Sequence, residues 1–270
     1  GGTINTSGRY TAGSTAGTFR VIATQQGGTL ADTGVVTVTT APAPGDPYAH
    51  RPANYTTTLT DYAFSSVIPS GGDTPIGDGS IWNQVFNPGT MSRQVDPTGP
   101  ISSPYVLEVH YPPGHVSGTG VGQLYATVNP NIQELYVSMM VKWDSNYEWN
   151  PVSNKLFIFE PGHILIESKH YGDYLIVEPQ DLGTYYTSNV ATPRIPLNEW
   201  VNIEIQLKRG NNGFVKIWMN GTLYMDRQVP MPATDGIDQG FSLNSTWGGT
   251  SSPTTRDSYR WVDHILIATP

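Results

Sequence analysis

Cysteine is absent from the 270-residue chain. That excludes disulfide scaffolds, thiol catalysis and cysteine-based zinc sites together. Charge is scarce, at 13% Asp, Glu, Lys and Arg, and it leans acidic, to a net −8. Such a balance argues against nucleic acid or an anionic membrane as a partner. No apolar run approaches the roughly 18 residues of a membrane-spanning helix. No window sustains a 3.6-residue apolar period either, so helices are not expected to build this molecule. Aromatics, by contrast, reach 11%, too many for a disordered chain. The bias toward Thr, Gly, Tyr and Val favours strands and turns.

Composition breaks at residues 41–53, APAPGDPYAHRPA, where four prolines fall in 13 residues. Proline there blocks helix and central strand and predicts an extended, semi-stiff linker, with His50 in solvent. The linker divides a small module, residues 1–40, from a large domain, residues 54–270.

The large domain reads as strand after strand. Leu135, Val137, Met139, Val141 and Trp143 alternate on one face of Glu134–Trp143. Val201, Ile203, Ile205 and Leu207 do the same from Trp200 to Lys208, which leaves Asn202, Glu204, Gln206 and Lys208 on the surface face. Phe214–Met219 and Thr222–Asp226 flank Asn220-Gly221, the strongest short hairpin signal. Short strands at regular spacing between Gly/Pro turns predict an all-β sandwich, and a jelly roll fits the length.

Two resemblances refine this. The run G-R-Y-T-A-G-S-T-A-G-T-F-R-V-I-A-T…V-V-T-V-T resembles the closing half of a bacterial group 2 immunoglobulin-like domain. It implies a partial immunoglobulin-like β module at the N-terminus. Two explanations stay open: a trimmed fragment, or a half-domain that self-assembles by completing its sheet on another surface. Residues 57–270 resemble the concanavalin A-like lectin/glucanase superfamily, nearest its polysaccharide lyase-like branch. The stretches that carry this are V-D-P-T-G-P-I-S-S-P-Y-V-L-E-V-H-Y, E-L-Y-V-S-M-M-V-K-W, N-E-W-V-N-I-E-I-Q-L-K…G-F-V-K-I-W-M-N-G and Y-R-W-V-D-H-I-L-I-A-T. The resemblance implies a jelly roll, a polysaccharide partner and an extracellular or cell-surface location. It does not decide between binding and cleavage, because lectins, glycosidases and lyases share the fold.

Glucanase chemistry needs E-x-D-x-x-E, with two carboxylates on one strand face. The nearest stretch, Glu199 to Glu204, has Val201 at the Asp position and puts its two glutamates on opposite faces. The alginate lyase motifs R-(S/T)-E-(L/V)-R, Q-(I/V)-H and Y-F-K-A-G are absent too. β-Elimination itself requires a base near the sugar C5 proton, an acid at the leaving oxygen and a donor that neutralises the uronate carboxylate. His110, Lys155, Lys169, His170, Tyr171 and Tyr174 are the catalytic candidates. Lys155 is expected to share a concave sheet with His110 and Glu108. Glu108, Glu167 and Glu178 would line it. Tyr147, Trp149, Tyr185, Tyr186 and Trp247 occupy polar, loop-like contexts and are the candidates for stacking on sugar. Asp263, in W-V-D-H-I, matches the step at which many relatives supply a Ca²⁺ ligand, so a structural Ca²⁺ is expected there. His264 is expected to be buried and satisfied.

Overall fold

The computed structural model describes residues 2–4, 10–12, 17–24, 26–38, 46–69, 75–116, 122–128, 132–159, 164–169, 174–190, 194–230, 240–248 and 253–270. The chain divides into two compact units, Gly1–Ala43 and Pro44–Pro270.

The first unit contains β1 (Gly2–Ile4) paired with β2 (Tyr10–Ala12), and β3 (Gly17–Thr24) paired with β4 (Ala31–Val38). Both pairs are antiparallel two-stranded ribbons. Phe19 and Val21 alternate as predicted and are half-buried, whereas Ile22 and Val35 stand in solvent on the other face.

The second unit holds the remaining strands. They are β5 (Thr57–Tyr62), β6 (Gln84–Phe86), β7 (Met91–Val95), β8 (Tyr105–Tyr111), β9 (Gln123–Thr127), β10 (Glu134–Trp143), β11 (Ser153–Phe159) and β12 (Ile164–Lys169). There follow β13 (Leu175–Pro179), β14 (Tyr186–Thr187), β15 (Val201–Lys208), β16 (Phe214–Met219), β17 (Thr222–Gln228), β18 (Gly240–Asn244), β19 (Trp247–Gly248) and β20 (Ser258–Thr269). Two antiparallel sheets result. Sheet A runs β17-β16-β15-β10-β20-β8-β7, with β5 also on β20. Sheet B runs β14-β13-β12-β11-β18-β9-β6, with β19 on β11. The molecule is thus all-β, a sandwich with small N-terminal ribbons.

The core lies between the sheets. Leu135, Val137, Met139, Val141 and Trp143 enter it from sheet A, as do Val201, Ile203, Ile205 and Leu207, on the faces that alternation predicts. Phe157, Phe159, Ile164, Ile166, Phe241 and Leu243 meet them from sheet B. The β16–β17 turn sits at Asn220-Gly221. Both residues have positive φ (49° and 75°), as a tight hairpin with a right-handed twist requires.

One stretch departs from expectation. Residues 46–53, predicted as part of an extended linker with His50 in solvent, lie with Asn54 and Tyr55 on the outer face of sheet A. There Glu204 is 0% exposed, not on the surface. Its carboxylate accepts from His50 N and pairs with His50 Nδ1 (both 2.9 Å), and it accepts from Tyr136 Oη (2.6 Å). The His50 ring stacks on Trp218, centroids 4.6 Å apart. Ser138 Oγ and Asn202 Nδ2 both donate to Pro47 O. Tyr55 joins Tyr136, Leu266 and Ala268 in a second, smaller apolar cluster. Proline kept this strap out of the sheet without keeping it off the sheet. An unsatisfied buried carboxylate is expensive, so Glu204 depends on its three donors.

Replacing His50 with Ala is expected to cost about 1–3 kcal/mol, the usual range for stranding a buried polar group. Amide exchange across residues 46–55 should accelerate while the sheets keep their protection. Unchanged exchange in the strap would show that His50 does not hold it.

Candidate functional site

The outer face of sheet B carries the candidate site. Register lines up its side chains across strands. Phe86, Gln123 and Asn244 form one row. Gln84, Tyr125, Ser242 and Ile158 form the next. All alternate with residues that point into the core: Val85, Leu124, Phe241 and Leu243. The Tyr125 and Phe86 rings meet edge to face, centroids 6.2 Å apart. Both are half-buried, so part of each ring faces outward.

Lys155 stands at the centre of the sheet. A register shift in β11 between Lys155 and Phe157 turns Leu156 and Phe157 both inward and leaves Lys155 on the outer face, opposite Glu167. Glu167 is fully buried, and Ser153 Oγ donates to it. Lys155 is half-buried, and among the described residues its ammonium makes no hydrogen bond or ion pair. Its backbone N–H donates to Thr246 O (2.9 Å). Thr246 Oγ1 accepts from Gln123 Nε2 (3.3 Å), which ties β11 to the Gln123 row. Asn244 Oδ1 accepts from Thr246 N (2.9 Å).

This face is held from below by Arg260. Arg260 points from β20 into the sandwich, 1% exposed. Its Nη1 donates to Lys155 O (2.8 Å), and its Nη2 donates to Asn244 O (2.8 Å) and Ser245 Oγ (2.5 Å). The turn that enters β11 is fixed as well. Asn150 Oδ1 accepts from Val152 N and Ser153 N, and Trp247 Nε1 donates to Glu148 O.

The predicted site residues do not all meet here. Lys155, Glu167 and the half-buried Glu178 share this face. Lys169 ends β12, but its side chain lies outside the described residues, as do His170 and Tyr171. His110 and Glu108 are on sheet A, on the opposite side of the molecule. His110 Nε2 pairs with Asp257 Oδ1 (2.6 Å), and its ring stacks on Tyr259 at 4.6 Å. Tyr259 stacks on Trp261, whose Nε1 donates to Glu108 Oε2 (2.9 Å). The shared concave sheet expected for His110 and Lys155 is therefore not formed. Alternation gives a strand's faces, not the layer it joins.

The loop aromatics divide. Tyr147 and Trp247 are buried: the Tyr147 loop folds over the end of the core, and Trp247 lies not in a loop but in β19, paired with Asn154 of β11. Tyr147 packs edge-on against Tyr111 (5.5 Å) and Trp149 (4.8 Å), and burial pushes its phenol well above the usual tyrosine range. Trp149 and Tyr186 are half-buried against the same core. Tyr185 is 45% exposed. Tyr174 borders a pocket at the far edge of sheet B.

Asp263 lies on sheet A, buried in the bend of β20. Burial raises its carboxyl, and hydrogen bonds from the Ile101 and Ser102 amides oppose that shift. Ile101 N donates at 2.6 Å and Ser102 N at 3.1 Å, so both oxygens hold the 97–104 turn. Among the described residues no group of three His, Asp or Glu comes together to hold a metal. His264 is buried and satisfied as expected, between Ser102 Oγ and Asp61 Oδ1, each at 2.6 Å.

Sequence reasoning missed Gln84, Phe86, Gln123, Tyr125 and Asn244. Their signal was present: Q-V-F and Q-L-Y-A-T alternate polar or aromatic residues with small apolar ones. Three to five residues are too few for that period to stand out.

Replacing Arg260 with Met keeps the volume and strands three acceptors. The expected loss is about 3 kcal/mol or more. That corresponds to a fall of roughly 6–12 °C in Tm for a domain of this size, read by calorimetry. An unchanged Tm would show that those acceptors find other partners.

No family model matches the chain, and no curated protein matches it. Solved structures do. An alginate lyase in complex with an alginate trisaccharide superposes with a TM-score of 0.53 at 14% identity, over 80% of this chain and 99% of that one. An alginate lyase from Chlorella virus gives 0.50 at 13% identity, over 70% and 93%. A cellulose-induced protein gives 0.50 at 15% identity, over 69% and 90%. Identities this low speak to architecture alone: the chain shares the jelly-roll β-sandwich of these structures.

Proposed function

We propose that the outer face of sheet B binds a uronate-containing polysaccharide outside the cell and cleaves it by β-elimination, with Lys155 as its charge centre. One observation carries this reading. Lys155 offers an ammonium without a partner among the described residues, on a polar face beside Asn244, Gln123 and the Tyr125–Phe86 ring pair. An ammonium in such a setting suits a carboxylate, and the half-exposed rings suit sugar C–H faces. Alginate lyases with the same fold support the substrate class.

In this reading Lys155, Asn244 and Gln123 neutralise the uronate carboxylate, which acidifies the C5 proton. The Tyr125 side chain, on the same face, takes that proton as its phenolate. The C5 electron pair forms the C4–C5 double bond, the C4–O bond breaks, and Tyr125, now a neutral phenol, returns the proton to the leaving oxygen. The assay is absorbance of the unsaturated product with alginate, glucuronan and heparinoids. Lys155→Ala is expected to lower the rate by roughly 10²-fold or more, as loss of a charge-stabilising donor does elsewhere. Tyr125→Phe should lower kcat more than it raises KM. If no uronate polymer is bound or cleaved, or if Lys155→Ala changes neither, the reading fails.

A second reading, assembly through the N-terminal ribbon, is favoured by β3–β4. Ile22 (62% exposed) and Val35 (66%) share one face of that ribbon, and an isolated ribbon is marginally stable in water. If the immunoglobulin-like half-module pairs with a neighbour, sedimentation should show association that Ile22→Glu abolishes. A monomer at every concentration would refute it.

A further inference from the structure

Polar groups also meet inside the sandwich, beneath the outer face of sheet B. Asn154 faces inward from β11 and is 5% exposed. It is bonded twice to Asn150: its Oδ1 accepts from Asn150 N (2.8 Å), and its Nδ2 donates to Asn150 O (3.0 Å). Its cross-strand partner is Ser168 of β12, which shares the inward face with Ile164 and Ile166. The next residue, Lys155, offers its carbonyl to Arg260 Nη1 (2.8 Å). Asn154 thus gathers Asn150, Ser168 and Arg260 around itself.

Each of these three keeps one buried polar atom without a partner among the described residues. Asn150 is 0% exposed, and its Oδ1 takes the amides of Val152 and Ser153, which leaves Nδ2 with no acceptor. Ser168 Oγ has no partner. Arg260 Nε has none either, although both Nη atoms are engaged. Tyr147 closes the same place. Burial pushes its phenol up and the Arg260 guanidinium opposes that shift, so the two lie close together.

Charge and hydrogen bonding point the same way. Arginine Nε and asparagine Nδ2 can only donate, and the serine hydroxyl can turn to donate. The guanidinium keeps its charge, and the acceptors that hold it are neutral. Nearby carboxylates are spent elsewhere. Asp144 accepts from the amides of Asn146 and Tyr259, and Glu148 accepts from the amide and hydroxyl of Thr255. Glu167 lies on the other face of sheet B, opposite Lys155. A buried cation without a counter-charge is strongly destabilising. A water molecule would answer the hydrogen bonds and leave the charge. A monatomic anion answers both, and a close-packed interior admits nothing much larger. We propose that a halide, chloride in ordinary salt, binds between the sheets at Arg260 Nε, Asn150 Nδ2 and Ser168 Oγ as the counter-ion of the buried guanidinium.

The test is calorimetry of the full chain at constant ionic strength, with chloride or bromide replacing fluoride. Chloride should raise Tm saturably. At about ten times its Kd the folding constant should stand about tenfold above its value in fluoride, and bromide should act alike. Crystals soaked in bromide should show an anomalous peak within hydrogen-bond reach of the three atoms. Ser168→Ala should weaken halide binding about fivefold, as loss of one neutral hydrogen bond does. Asn150→Asp keeps an oxygen for Val152 N and Ser153 N and supplies a fixed carboxylate, so its halide response should fall below about twofold. Three results would each overturn the proposal: equal Tm in fluoride and chloride, a water without an anomalous peak at that position, or a full halide response in Asn150→Asp. If Asn150→Asp does not fold, the wild-type titration and the anomalous map decide alone. None of these readouts involves a uronate, so the halide site and the lyase reading stand or fall separately.

Discussion

The buried guanidinium of Arg260 ties the interior of the sandwich to the strands of sheet B. An arginine cannot shed its charge inside a protein, so burying one obliges the surroundings to supply acceptors. No carboxylate pairs with Arg260 among the described residues. Two carbonyls and a hydroxyl serve instead, at Lys155, Asn244 and Ser245. These belong to β11 and to the end of β18, the segments that carry the half-buried Lys155 and the buried Asn244. A cation rooted in sheet A thereby sets the position of side chains on the far side of sheet B. The aromatic packing of Tyr111, Tyr147, Trp149 and Trp143 closes the same end of the core. With water kept out, each of those hydrogen bonds is stronger than it would be in solvent.

The two outer faces have opposite fates. Sheet A spends its polar groups on itself. Glu204 is consumed by the strap, Glu134 by Tyr55 and Lys208, and Glu108 by Trp261. His110, Tyr259 and Trp261 stack on one another, and Lys142 sits over Trp261, so the ring faces are already covered. A sugar needs an open ring face, and that row presents edges. Sheet B keeps half-exposed rings and amides, and it keeps an ammonium with donors to spare. This asymmetry, more than the fold, is what the proposed site on sheet B rests on.

What could be read from the sequence follows the same physics. The faces of β10 and β15 were legible because eight to ten residues of strict alternation leave little ambiguity. The Asn220-Gly221 hairpin was legible because few residues accept two successive positive φ values. Layer membership was not. Consecutive strands of a sandwich pass between sheets, so β8 with His110 and β11 with Lys155 ended on opposite sides although each has a clear polar face. Glu204 shows a second limit. A period of two marks it as facing away from the core, and only the distant strap makes that direction buried. Arg260 shows a third. It reads as the polar start of a closing strand, and its partners lie 15 to 105 residues away in the chain.

Charge scarcity gives the candidate site its meaning. Opposite charges on neighbouring strands usually pair, a gain of about 0.2–1 kcal/mol. Lys155 and Glu167 are cross-strand partners, yet Lys155 makes no hydrogen bond to Glu167, which accepts one from Ser153. The carboxylate's field stays beside the ammonium while the ammonium's three donors are left for something else. Replacing the pair with apolar residues would be the cheaper way to build a sheet, since two charges at a half-covered site must both be desolvated. A chain that carries so few charges, and neutralises those on its other face so thoroughly, places a half-buried Lys155 beside a buried Glu167 at the centre of sheet B. The arrangement gains nothing evident for folding. It gains a great deal if an anionic sugar is the missing partner.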